Sequence, residues 1–159
     1  MYKVDCFYDD VDQVYFCRNE NLRYEHAQAF KSFGFHQPEL LLTVKEINEI
    51  LTAESAAMTR ELIDNIANFL HNQLAVVKMK VTMEYMGTSK IAFGAPEFAF
   101  IIDDNSVWLL IKQFPTNDII NLISKISSLY DLFLVDSQQG FVVESRIESN
   151  VLEYFQYQE

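Results

Sequence analysis

The hydrophobic pattern changes period near residue 76. Before that point, in "ESAAMTRELIDNIANFLHNQL", residues Met58, Leu62, Ile66, Phe69 and Leu70 fall on one helical face, and Ile63 and Leu74 widen it. Arg60, Glu61, Asp64, Asn65, Asn68 and Asn72 fall largely opposite. The spacing predicts a long amphipathic helix. After it, in "VKMKVTMEYM", Val77, Met79, Val81, Met83 and Tyr85 alternate with Lys78, Lys80, Thr82 and Glu84. A period of two predicts a strand with one wet face.

Other segments follow by the same rules. "EFAFIIDDNSVWLLIKQF" reads as two nearly continuous apolar strands around the turn Asp103-Asp104-Asn105-Ser106, placed near the middle of a sheet. "PTNDIINLISKISSLY" reads as a helix capped by Thr116, with Asp118 in its first turn and a stripe of Ile119, Ile123, Ile126 and Tyr130. "LFLV", the turn "DSQQG" and "FVVES" form a hairpin. The aromatic, acidic tail "NVLEYFQYQE" suits a short helix whose Tyr154, Phe155 and Tyr157 dock on their own domain. Residues 87–97, with Gly87 and Gly94, read as a loop joining two strands.

Two helices are expected earlier in the chain. "RYEHAQAFKSFGF" has Tyr24, Ala27, Phe30, Lys31 and Phe33 near helical spacing and Gly34 as a stop. "LTVKEINEIL" opens with a capping box, Thr43 with Glu46, and a staple of Leu42 with Ile47. At the N-terminus, "YKVDCFY" and "QVYFCR" read as a hairpin closed by Asp10, Val11, Asp12 and Gln13. That register opposes Asp9 to Val14, Tyr8 to Tyr15 and Cys6 to Cys17. The sum is an α+β chain: a largely antiparallel sheet of about six to seven strands against about four helices, in one globular domain over residues 1–159.

Composition narrows the classes. Half of the 159 residues are apolar, which is enough for a substantial core. No apolar run approaches the ~18 residues of a membrane span, and the first ten residues lack the apolar stretch of a signal peptide. A soluble, cytoplasmic protein is expected, with Cys6 and Cys17 as thiols. The net charge is −11, which disfavours nucleic acid and anionic membranes as partners. The charge is uneven. Residues 1–96 hold 13 acids and 9 bases, and residues 97–159 hold 10 acids and 3 bases.

Motifs for chemistry are missing. No G-x-S-x-G elbow occurs, and His26, His36 and His71 are not spaced for zinc with each other or with the cysteines. "DDVDQV" superficially resembles a calcium loop but lacks the glycine at its sixth position and the glutamate at its twelfth. Gly87 and Gly94 match no phosphate-binding pattern. The pairs Asp9–Asp10 and Asp103–Asp104 lie in turns, where solvent keeps carboxylates ordinary. No catalytic residue, metal site or cofactor is assigned.

Size, charge and the lack of catalytic motifs favour a protein-binding role with a basic partner. In those three respects the chain resembles a bacterial immunity protein, an inhibitor that neutralises a toxin domain such as a nuclease. Asp9, Asp10, Asp12, Asp103 and Asp104 would present the charge, with Tyr8 and Tyr15 as aromatic anchors. The alternatives are a small-molecule-binding or enzymatic domain with a pocket between helix and sheet, and an acidic adaptor subunit. Either a monomer or a homodimer is compatible with the sequence.

Overall fold

In the computed structural model the described residues are 2–6, 14–18, 32–33, 58–74, 76–83, 88–95, 97–103, 105–136 and 141–157. They form an α+β structure with one sheet and, among the described residues, three helices. The strands are β1 (Tyr2–Cys6), β2 (Val14–Arg18), β3 (Ser32–Phe33), β4 (Val77–Met83), β5 (Thr88–Ala95), β6 (Phe98–Ile102), β7 (Val107–Ile111), β8 (Leu132–Asp136) and β9 (Phe141–Val143). The helices are α1 (Arg60–His71), α2 (Asn117–Tyr130) and α3 (Glu148–Tyr157). The sheet order is β1-β4-β5-β6-β7-β2-β8-β9-β3. Its seven inner strands pair antiparallel, and a parallel strand flanks each side.

The expected N-terminal hairpin does not form. β1 pairs with β4, from Tyr2↔Met79 to Cys6↔Met83, while β2 lies between β7 and β8. Four strands separate the two segments. Five inter-strand steps of about 4.8 Å put them roughly 24 Å apart. A disulfide needs Cα atoms within about 7 Å. Cys17 opposes Phe133, not Cys6, and Tyr15 opposes Val135 and Trp108.

Two further expectations change. Residues 88–95 are a full strand, with Ile91, Ala92 and Phe93 paired on both sides. Ser32–Phe33, placed in a helix by periodicity, form a short strand parallel to β9. The rest of that segment, and the helix expected from Thr43, lie outside the described residues.

The sheet separates two apolar layers. Phe98, Phe100, Val107 and Leu109 face the helices, with Phe16 from β2 and Leu132 and Leu134 from β8. Ala99, Ile101 and Leu110 point to the far side with Met79 and Ala92. Alternation along β6 and β7 produces this division, and both strands are buried on both faces as their continuous apolar runs predict.

Helix α1 starts later than periodicity suggests. Thr59 is its cap, accepting a hydrogen bond from the Leu62 amide at 3.2 Å. Met58 precedes it, buried, with its amide donating to the Asn105 carbonyl at 2.7 Å. The buried stripe is Ile63, Ile66 and Leu70, while Leu74 lies past the helix end and is fully exposed. Thr116 caps α2 as expected, with Asp118 in the first turn. The chain leaves α2 through Asp131, whose positive φ of 54° is tolerated by Asp.

Serines on α2 hold the turn before α3. Ser127 and Ser145 share a buried hydrogen bond of 2.6 Å, and the Arg146 carbonyl accepts from Ser124 and Ser128. Arg146 itself donates from Nε and Nη2 to the Glu144 carboxylate and from Nη1 to Asp131, with its guanidinium 4.9 Å from the Phe133 ring centre. The hydrogen bond with Glu144 is the main reason its guanidinium is held above the ordinary range.

The tail docks on its own fold. Tyr154 and Phe155 are buried, and Phe155 meets Phe98 and Phe114 edge-on. The Tyr154 hydroxyl donates to the buried Asp136 carboxylate at 2.6 Å. Burial first, and then the charge of Asp136, raise its phenol well above the usual range. Tyr154→Phe should keep the packing and lose this charged hydrogen bond, costing about 1.5–3 kcal/mol. The check is a lowered urea midpoint at unchanged m-value. An unchanged midpoint would show that the bond contributes no net stability.

Candidate functional site

Of the residues chosen from sequence, Tyr8, Asp9, Asp10, Asp12 and Asp104 lie outside the described residues. Asp103 closes the β6–β7 turn, its amide donating to the Ser106 carbonyl at 3.0 Å. Its carboxylate accepts from Lys90 at 2.8 Å, and both side chains are about one-third exposed. A pair this open to solvent contributes little stability. It does neutralise much of the charge that Asp103 offers to a partner. Ser106 also accepts from the Trp108 indole at 2.5 Å, so the turn is braced from both ends.

Tyr15 is buried rather than displayed. Alternation along β2 sends Val14 and Phe16 to the helices and Tyr15 to the far face, where its ring centre lies 5.5 Å from that of Trp108. Burial pushes its hydroxyl up to about 12. Cys17 follows Tyr15 on that face, and burial pushes its thiol to about 12 as well. A thiol so far above neutrality is protonated and unsuited to nucleophilic attack.

A Cys–His pair between Cys17 and His71 is ruled out by placement. His71 lies at the end of α1, edge-on to Phe93 in the helix-side layer, while Cys17 is on the opposite face. His26 and His36 lie outside the described residues. Among the described residues no three of His, Cys, Asp and Glu group as metal ligands would.

The exposed charge lies elsewhere, in the layer built by α2 and α3. Among the described residues of these two helices Asp118, Glu148 and Glu153 are exposed, and none forms a salt bridge. Arg146 is engaged by Glu144 and Asp131. Lys112 and Lys125 are the remaining described cations of residues 97–157. Sequence counting found the excess of acid here but not its distribution, because the internal use of Arg146 depends on how the β9–α3 turn folds back over α2.

A cleft of about 560 Å³ adjoins this layer. The end of α1 supplies Asn72, Gln73 and Leu74, and the first three turns of α2 supply Asp118, Asn121 and Lys125. Positions 118, 121 and 125 share a helix face by their spacing. Asn121 donates to Glu148 of α3 at 3.2 Å, which sets a second carboxylate beside the cleft. Gln73 donates from its side chain to the Phe69 carbonyl at 3.1 Å, closing the end of α1. The lining is amide-rich and open to solvent, with apolar contact offered by Leu74 at its lip and Leu122 within. Periodicity had assigned Leu74 to the buried stripe, so this feature was hidden at that stage.

Comparison with known proteins yields no matching family model, no matching curated protein and no matching solved structure.

Proposed function

We propose that the chain is an acidic protein-binding inhibitor of a basic partner, acting as a bacterial immunity protein does on a nuclease-like toxin domain. The observation that carries this reading is the set of exposed carboxylates on the α2–α3 layer without salt-bridge partners. A basic domain approaching that layer meets a field that raises the encounter rate and falls off with salt. Inhibition of this kind requires no chemistry from the inhibitor, only a surface that competes with the partner's anionic substrate. The thiol state of Cys17 and its separation from His71 fit such a role.

The test begins with capture from the native source at low ionic strength. A basic protein should be recovered, and its association rate should fall at least tenfold between 20 and 200 mM salt, on the order seen for steered complexes. Expressing the recovered protein alone should be toxic, and co-expressing this chain should restore growth. Recovery of no basic protein, or of one whose toxicity the chain leaves unchanged, would remove the reading.

A further inference from the structure

We propose that the cleft between the end of α1 and the first three turns of α2 is the docking groove for an extended, cationic segment of the basic partner, an inference that rests on the reading above. Three features select that occupant. The first is charge: Asp118 lines the groove and Glu148 stands beside it on Asn121, against the single groove cation Lys125. The second is the end of α1, which carries the negative pole of the helix dipole, its Asn68, Phe69 and Leu70 carbonyls already accepting from Asn72 and Gln73. The third is the lining itself. Asn72, Gln73 and Asn121 bring side-chain amides, which can both donate to and accept from an extended backbone.

Leu74 supplies what charge cannot. It is a large apolar side chain with full exposure beside a polar groove, and it gains by being covered. An extended segment points alternate side chains to opposite sides. A cationic residue directed at Asp118 and Glu148 leaves its neighbour free to cover Leu74. The groove therefore prefers alternating basic and apolar residues over a uniformly basic tract. By contrast, the turn at Asp103 already holds its own lysine.

The test uses a capped hexapeptide of alternating arginine and leucine, titrated into the full ¹⁵N-labelled chain at low salt. Saturable shifts should concentrate at residues 72–74, 118–125 and 148. Asp118→Asn with Glu148→Gln should weaken binding about threefold or more, as expected for two exposed ion pairs. Leu74→Ser should weaken it by a similar factor, and because the Leu74 side chain is fully exposed it should leave the unfolding midpoint unchanged. A hexapeptide of alternating arginine and serine should bind the native chain more weakly and be insensitive to Leu74→Ser. Shifts spread over all exposed carboxylates, no binding, or variants with native affinity would each overturn the groove. The underlying reading fails separately: groove variants that hold a recovered basic partner as tightly as the native chain remove the groove alone, whereas absence of any such partner removes the acidic-inhibitor reading.

Discussion

Phe16→Ala should destabilise the protein by about 3–5 kcal/mol, the usual cost of deleting a fully buried aromatic side chain. Phe16 has no exposure, and its ring stacks with that of Phe100, centres 6.3 Å apart. Its position magnifies the effect. β2 is the strand that joins the β4–β7 meander to the β8–β9 hairpin, and its register with β8 covers all five residues from Val14 to Arg18. Against β7, pairing among the described residues is the single partnership of Tyr15 with Trp108. Attachment on that side therefore leans on side-chain packing, in which Phe16 against Phe100 is central. Total stabilities are about 5–15 kcal/mol, so the loss is about a fifth or more of the whole. Urea unfolding followed by the fluorescence of Trp108, the sole tryptophan, reads this seam directly. Phe16→Leu should recover most of the loss, since it refills the cavity. A midpoint within a few tenths of a molar of the native value for Phe16→Ala would show that β2 is not held in this slot.

The location of β2 also shows where the sequence was readable. Strands that are neighbours in the chain usually pair, and that rule placed the β6–β7 and β8–β9 hairpins correctly. It failed for β1 and β2. The warning was present in composition. "VYFC" is apolar at four successive positions, the mark of a strand buried on both faces, and all four residues are buried. "YKVDC" interleaves Lys3 and Asp5, which suits a flank of the sheet, and β1 lies at its side. Two strands with such different patterns were poor candidates for one hairpin. For the candidate site, the sequence made the excess of acid in residues 97–159 plain. It did not show which acids would face solvent without a cation, because that depends on long-range contacts such as Arg146 with Asp131 and Asn121 with Glu148. Tyr15 was misjudged for the same reason as β2: beside a turn an aromatic looks available, whereas in a central strand it is buried.

Gly94→Ala should cause damage of similar size, though it removes nothing. A glycine between Phe93 and Ala95 reads as a loop residue, and that reading concealed β5. In the sheet Gly94 pairs with Val77 of β4 on one side and Ala99 of β6 on the other. Its φ of +150° is open to glycine and strained for any residue with a side chain. An added Cβ would lie 2.4 Å from the Phe98 carbonyl oxygen and 2.7 Å from the Ala99 Cα. Both are backbone atoms of a paired strand, so neither can step aside by changing rotamer. The strain of the backbone costs about 1–3 kcal/mol and the overpacking a similar amount. A total near 2–6 kcal/mol follows, delivered where the β5–β6 pairing orders Phe98 and Phe100 under the helices. Gly94→Ala should therefore lower the urea midpoint by at least as much as Tyr154→Phe, and amide exchange should accelerate first in β5 and β6. A native midpoint with native exchange in those strands would mean that Gly94 is not pinned against β6. If stability falls but exchange quickens evenly over the sheet, the damage lies in the global equilibrium rather than in this hairpin. The two strands would then open only with the whole structure, and the close approach at Phe98 would have no local role.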